Sequence, residues 1–224
     1  VLLQTSEIVK PLLLIFVTMA IRKWYLGIII IPLFMIWRQP DLGSTLVLAA
    51  GVMTMIVSNL SIKRVLLLFG GLSLVVGLTA GFFLHGYQKE RLTTFLNPYT
   101  DPLDSGYHVI QSVIAVGSGG FWGRGLGKGT QSQLRFLPER HTDFIFATTA
   151  EELGFTGCTL ILILYFTILW RISTMIKLAS NQTDKLFLQG VLGMLIFQIF
   201  INIGMNNGIA PVTGITLPFL SYGG

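Results

Sequence analysis

The chain has 224 residues, of which 52% are hydrophobic and 11% charged, with a net charge of +5 and a mean hydropathy of +0.73. A typical domain carries about 25% charge, so an ordinary soluble domain, a disordered chain and a disulfide scaffold are excluded, and the single cysteine, Cys158, reads as core filler. The basic residues sit in short clusters between apolar runs, which reads as membrane topology and not as nucleic-acid binding.

A spanning helix needs roughly 17–25 predominantly apolar residues. In chain order, the run 8–21 is short and carries Lys10 and Pro11 near its start. The run 26–37 is shorter still and contains Pro32. Runs 44–60 and 65–84 are clear spans, 144–170 is long and holds Glu151 and Glu152, and 186–205 is clear again. A seventh helix is expected to begin near Leu217. The chain has no initiator Met and stops soon after an apolar stretch, so it reads as an internal piece of a longer polytopic membrane protein.

Charge orients the spans. Arg22-Lys23, Lys63-Arg64 and the set Arg171, Lys177, Lys185 form three basic linkers, holding 7 of the 15 basic residues. The positive-inside bias places all three in the cytoplasm, which requires 26–37 to cross as well. The segment 38–43, a long loop over about 87–142, and 206–214 then lie outside. Trp122 and Tyr107 are candidates to anchor that loop at the headgroups.

Polar groups are expensive in a membrane chain, and most of the unusual ones here fall on the outer side. They include Glu7, Lys10, Arg38, Gln39, Asp41, Arg124, Lys128, Arg135, Glu139, Arg140, His141, Asp143, Asn206 and Asn207. Asp143 closes the loop before a helix, so it reads either as a general base at the membrane surface or, with Thr142, as an N-cap. Glu151 lies eight residues on, 80° around the helix and about 12 Å deeper. It needs a partner, with Lys10 the expected one. The stretch Gly117-Ser118-Gly119-Gly120 and Gly123-Arg124-Gly125-Leu126-Gly127-Lys128-Gly129-Thr130 fits no nucleotide-binding motif. Its amides with Arg124 and Lys128 would suit a diphosphate, and a plain flexible loop is the alternative. His85, His108 and His141 show no metal-ligand spacing, and no Ser-His-Asp or Cys-His arrangement is readable.

Several motifs together are specific. They are Gln39-Pro40-Asp41-Leu42-Gly43, Asp104-Ser105-Gly106-Tyr107-His108-Val109-Ile110-Gln111-Ser112 and Phe136-Leu137-Pro138-Glu139-Arg140-His141-Thr142-Asp143-Phe144-Ile145-Phe146-Ala147. Glu151-Glu152-Leu153-Gly154 and Leu217-Pro218-Phe219-Leu220-Ser221-Tyr222-Gly223-Gly224 complete the set. Over its whole length the chain resembles the SEDS family (shape, elongation, division and sporulation), which includes RodA, FtsW and SpoVE. Arg140 before His141 and the Gly-Tyr-His segment look more like RodA. One departure is Gln4-Thr5-Ser6-Glu7, where the family has Gln-Pro-Ser-Glu.

The resemblance implies an all-α polytopic membrane protein with about six transmembrane helices and the start of a seventh in residues 1–224, as one domain that lacks the family's N-terminal helices and last helix. It implies an inverting peptidoglycan glycosyltransferase that polymerises lipid II at the outer face of the bacterial cytoplasmic membrane, in cell elongation and shape control. Its implied partner is a class B penicillin-binding protein transpeptidase, and no nucleic acid is involved. The family's essential aspartate falls on Asp143, implied to deprotonate the acceptor's sugar hydroxyl. Lys10, Arg124, Lys128, Arg140 and His141 are the candidates to hold the substrate and its leaving diphosphate, with Glu7, Glu151 and Glu152 as a polar network. No metal-binding residues are assigned, and a divalent cation, Mg or Mn, is the candidate cofactor. A lipid II flippase is a second reading, in which Glu151, Glu152 and Lys10 would line a polar path. A non-catalytic scaffold of the elongation or division machinery is a third. The apolar inner halves of the helices favour the enzyme.

Overall fold

The computed structural model describes residues 5–22, 42–58, 60–61, 63–67, 70, 93–98, 105–133, 136–137 and 141–222, and among them it is helical with no strand. Six helices frame it: α1 (Thr5–Arg22), α2 (Leu42–Val57), α3 (Ser105–Ser118), α4 (Thr130–Gln133), α5 (Ile145–Leu178) and α6 (Gln182–Asn206). Two of these, α5 and α6, are long and apolar enough to cross a membrane. The expected spans 144–170 and 186–205 correspond to them, 44–60 to α2 and 8–21 to α1. The expected spans 26–37 and most of 65–84 lie outside the described residues.

The apolar pattern explains why α1, α2 and α6 meet. In α2, Ser44, Val47, Leu48, Gly51, Val52 and Met55 repeat at helical spacing and are all buried. In α1, Leu14, Val17 and Thr18 face them, and Thr18 Oγ1 donates back to Leu14 O at 2.7 Å, which satisfies the hydroxyl inside an apolar seam. Leu186 and Met194 of α6 close this core, with Ile215 beneath. Gly190 and Gly193 allow the close approach: a Cβ on the first would overlap Met55 and on the second Thr54. The opposite face of α1, with Leu12, Ile15, Phe16 and Met19, is apolar and exposed, as a lipid-facing surface is.

The contacts also fix direction. Leu14 lies against Gly51 and Gly190, Thr18 against Met55, and Ser58 against Gln189. Thus α1 and α2 run the same way, and α6 runs against them. Arg22, Lys63, Arg64 and Lys185 therefore collect at one end of the bundle. Asp143 and Asn206 stand at the other.

Three findings depart from the sequence reading. Residues 217–222 form turns, so no seventh helix begins near Leu217 within the described residues. The Leu217 amide donates to Ser221 Oγ at 2.8 Å, and the Ser221 amide donates to Leu217 O, which closes a turn in place of a helix. The stretch read as a long outer loop contains α3, whose buried Gly106, Val109, Ser112 and Ala115 repeat every third residue and pack against α5 and α6. Finally, α5 is broken at Gly154, whose φ of 66° and ψ of −163° are non-helical.

Candidate active site

Asp143 lies just before α5, and neither it nor Thr142 is the N-cap: that residue is Phe144. The capping expectation for Asp143 is corrected, as is the placement of Glu151 from Asp143 by helical rotation, because Asp143 precedes the helix. The orphan amides of a helix start need partners from elsewhere. Ala147 N donates to Asn206 Oδ1 at 3.1 Å, so a side chain of α6 takes the capping role.

Asn206 is buried and uses both ends of its amide. Its Nδ2 donates to Asp143 O at 3.0 Å and to Asn202 O at 2.8 Å. Asn202 Nδ2 donates to the same Asp143 oxygen at 3.0 Å and to Ile215 O at 2.7 Å. From α3, Ser112 Oγ donates to Asn206 O at 2.9 Å. The two preceding carbonyls are held as well. Ser221 Oγ donates to Thr142 O at 2.7 Å, and Tyr222 N donates to His141 O at 2.8 Å. Tyr165 of α5 steadies the same C-terminal segment by donating to Pro218 O at 2.6 Å. Three successive carbonyls, 141 to 143, are thus gripped from α6 and from 221–222.

These partners hold Asp143 by its backbone. The half-buried carboxylate lies beside Gly214, where a Cβ would sit 3.6 Å from Asp143 Oδ2. Two buried polar atoms nearby have no hydrogen-bond partner among the described residues: Thr213 Oγ1, next to Gly214, and His108 Nδ1, whose ring centroid is 6.3 Å from that of Phe144. A third is Gln131 Oε1 in α4. Buried polar groups are almost always satisfied, so the first two are candidates to meet a substrate's polar groups.

The second polar centre is built on the break in α5. Glu151 is 0% exposed. Its Oε1 accepts from Gln131 N at 2.8 Å and from Thr130 Oγ1 at 3.3 Å, and Thr130 Oγ1 accepts from Arg124 Nη1 at 2.9 Å. The break frees backbone groups, and the glycine-rich loop takes them up. Arg124 N donates to Glu151 O at 2.9 Å and Gly125 N to Glu152 O at 3.0 Å. In return Phe155 N donates to Gly120 O at 2.9 Å and Thr156 N to Phe121 O at 3.2 Å. The fit is close enough that a Cβ on Gly154 would overlap Gly123 N, and one on Gly123 would overlap Glu152 O.

The loop is therefore not a plain flexible connection. Nor are its amides an open diphosphate cradle, since those of Gly123, Arg124, Gly125 and Lys128 already donate to protein carbonyls. Arg124 and Lys128 remain exposed. His141 is exposed and Glu152 half-buried. Glu7 and Lys10 belong to α1, but their side chains, and with them the expected Lys10–Glu151 pair, lie outside the described residues, as does Arg140. Among the described residues no three His, Cys, Asp or Glu gather as a metal-binding group. The clamp residues Ser112, Asn202 and Ser221 were not identifiable as site residues from sequence. Their one signal was being polar within apolar or motif segments.

The model of the FtsW, RodA and SpoVE family of cell cycle proteins matches residues 1–224. The chain is 42% identical over 200 residues to the peptidoglycan glycosyltransferase MrdB of Escherichia coli (strain K12), covering 89% of this chain and 54% of that protein. It is 45% identical over 201 residues to the stage V sporulation protein E of Bacillus subtilis (strain 168), with the same two shares, 89% and 54%. Among solved structures it is similar to a chain of a peptidoglycan synthase complex described as coordinating polymerization and crosslinking, with a TM-score of 0.76 and 36% identity over 98% of this chain and 64% of that one. The chain spans about half the length of these curated relatives.

Proposed function

From the premise that the chain belongs to the FtsW, RodA and SpoVE family of polytopic membrane proteins, we propose that it carries the active aspartate of a peptidoglycan glycosyltransferase. The substrate is lipid II, polymerised in elongation and shape control at the outer face of the cytoplasmic membrane. The Asp143 end of the bundle faces outward and the basic end faces the cytoplasm, in accord with the positive-inside bias. The partner is a class B penicillin-binding protein, a reading supported by the likeness to a peptidoglycan synthase complex.

The observation that carries this reading is the grip on Asp143. Its main-chain carbonyl is fixed by two asparagines while another residue caps the helix. A general base must be held within hydrogen-bond reach of the proton it removes. Asp143 accepts the proton of the acceptor sugar's hydroxyl as that oxygen attacks the donor's anomeric carbon from the face opposite the leaving diphosphate. Inversion follows from the single displacement. Thr213 and His108 are placed to bond sugar hydroxyls or the acetamido group. Lys10, Arg124, Lys128, Arg140 and His141 are the cations available to the diphosphate. A divalent cation lacks a three-residue protein site among the described residues, so its ligands would be mainly the diphosphate's own oxygens.

The test compares the wild type with Asp143→Asn, full length and with the cognate transpeptidase, in a lipid II polymerisation assay containing moenomycin. Both proteins are first brought to equal folded amounts and their thermal unfolding compared, so that lost polymer reports the carboxylate and not a lost fold. Polymer from the wild type and none from an equally stable variant supports the base. Equal polymer from both removes Asp143 from the chemistry. No polymer from either would support the flippase or scaffold readings.

A further inference from the structure

The helix α5 is longer than a bilayer needs. The run 155–178 beyond the Gly154 break alone measures about 36 Å, against roughly 30 Å of hydrocarbon. Charge marks which part is immersed. Glu151 and Glu152 lie above and Arg171 below, and the stretch 153–170 between them holds no charge. At 1.5 Å per residue that stretch is about 27 Å, close to one hydrocarbon slab. Exposed Leu160, Ile163, Leu164 and Phe166 line it, and exposed Trp170 ends it beside Arg171. The upper limit of the slab thus falls at the Gly154 break, where the glycine-rich loop is bonded to the helix.

The loop presents a surface there that water would not favour. Phe121 is 57% exposed, Trp122 78% and Leu126 73%, beside Phe155 at 61%. The Phe121 ring stacks on Phe155 with centroids 5.7 Å apart and meets Trp122 edge-on at 5.1 Å. By helical spacing Phe155 shares a face with exposed Leu162 and Phe166, so the patch joins the exposed apolar face of α5. Irregular backbone is tolerated at such depth when its polar groups are satisfied internally. Here the helix break and the loop satisfy each other's. Exposed Lys128 lies in the same loop, suited to lipid phosphate.

We propose that the glycine-rich loop 119–129 is a membrane-interface foot, in which Phe121, Trp122 and Leu126, packed with Phe155, enter the lipid at the Asp143 end of the bundle. The foot fixes the height of the protein in the bilayer. It thereby sets how far the Asp143 end stands from the hydrocarbon boundary. The patch occupant is lipid, because the patch sits at the slab limit and is continuous with the lipid-facing helix surface. This inference is independent of the proposed chemistry.

The test places a spin label at Trp122→Cys or Leu126→Cys in a background with Cys158 and every other cysteine of the full-length protein changed to Ala. The full-length protein is reconstituted in phosphatidylcholine–phosphatidylglycerol vesicles, with accessibility to oxygen and to a nickel chelate measured. Both labels are expected to favour oxygen over the chelate, as a label at Ile163 does, whereas a label at His141 favours the chelate. Labels at 122 and 126 that behave like the one at 141 would place the loop in water and overturn the proposal. Labels shielded from both reagents would show protein cover, by a partner or another part of the chain, and overturn it equally. If the cysteine variants do not fold, Trp122 fluorescence serves instead, with Trp24, Trp37, Trp170 and every other tryptophan of the full-length protein changed to Phe. Quenching by phosphatidylcholine brominated at chain carbons 6 and 7 is expected, and its absence refutes the foot.

Discussion

Replacing Asn206 with Ala tests how the site is held. The change removes the acceptor of Ala147 N and one of two donors to Asp143 O. Ala147 is fully buried at a helix start, so its amide has no intrahelical partner to fall back on. Leaving a buried donor unsatisfied costs about 1–3 kcal/mol, and the lost bond to Asp143 O adds about 1 kcal/mol. The expected loss is therefore about 2–4 kcal/mol. Asn202→Ala leaves Asp143 O with its Asn206 donor, so each single variant keeps that oxygen satisfied. The double variant strips both donors, and its loss should exceed the sum of the singles by about 1–2 kcal/mol. Urea unfolding in detergent measures the stabilities, and polymerisation per folded molecule measures the effect on Asp143. Additive losses would refute the shared grip on that carbonyl. So would an Asn206→Ala protein within about 0.5 kcal/mol of wild type, the range of a neutral surface change.

Gly154→Ala should release the loop, since a side chain at φ 66° costs about 1–3 kcal/mol and would overlap Gly123. Limited proteolysis within 119–129 should become faster, and an unchanged digestion rate would contradict the interlock. Glu151→Gln keeps an acceptor for Gln131 N, whereas Glu151→Leu orphans that amide, so the Leu variant should be the less stable of the two by about 1–3 kcal/mol, read by thermal unfolding. Ser221→Ala removes the donor to Thr142 O and the acceptor of Leu217 N. Polymerisation should fall several-fold with lipid II affinity little changed, and a fall in affinity alone would argue against a positioning role.

The parts of the fold that sequence announced are those where one face repeats. The α2 stripe from Ser44 to Met55 and the long runs of α5 and α6 are visible because burial in protein or lipid imposes helical spacing or length. The helix α3 was hidden because its buried face is made of Gly106, Val109, Ser112 and Ala115, and small residues carry little hydrophobic signal. Gly154 was equally silent. A glycine inside an apolar run is ordinarily tolerated in a helix, and only the neighbouring loop, itself rich in glycine, makes the break favourable. Asp143 stood out through its motif. Asn202 and Ser221 did not, because Asn202 lies 59 residues beyond Asp143 and Ser221 lies 79 beyond Thr142, whose carbonyl it holds.

That last separation has a consequence for biogenesis. At roughly 5–20 residues per second, a ribosome needs some 4–16 s after Thr142 to reach Ser221. During that interval the stretch around Asp143 exists without the segment that grips it, and α6 must first be inserted alongside α5. A nascent molecule therefore holds the stretch around Asp143 only in part until residues 221–222 have been delivered to the membrane.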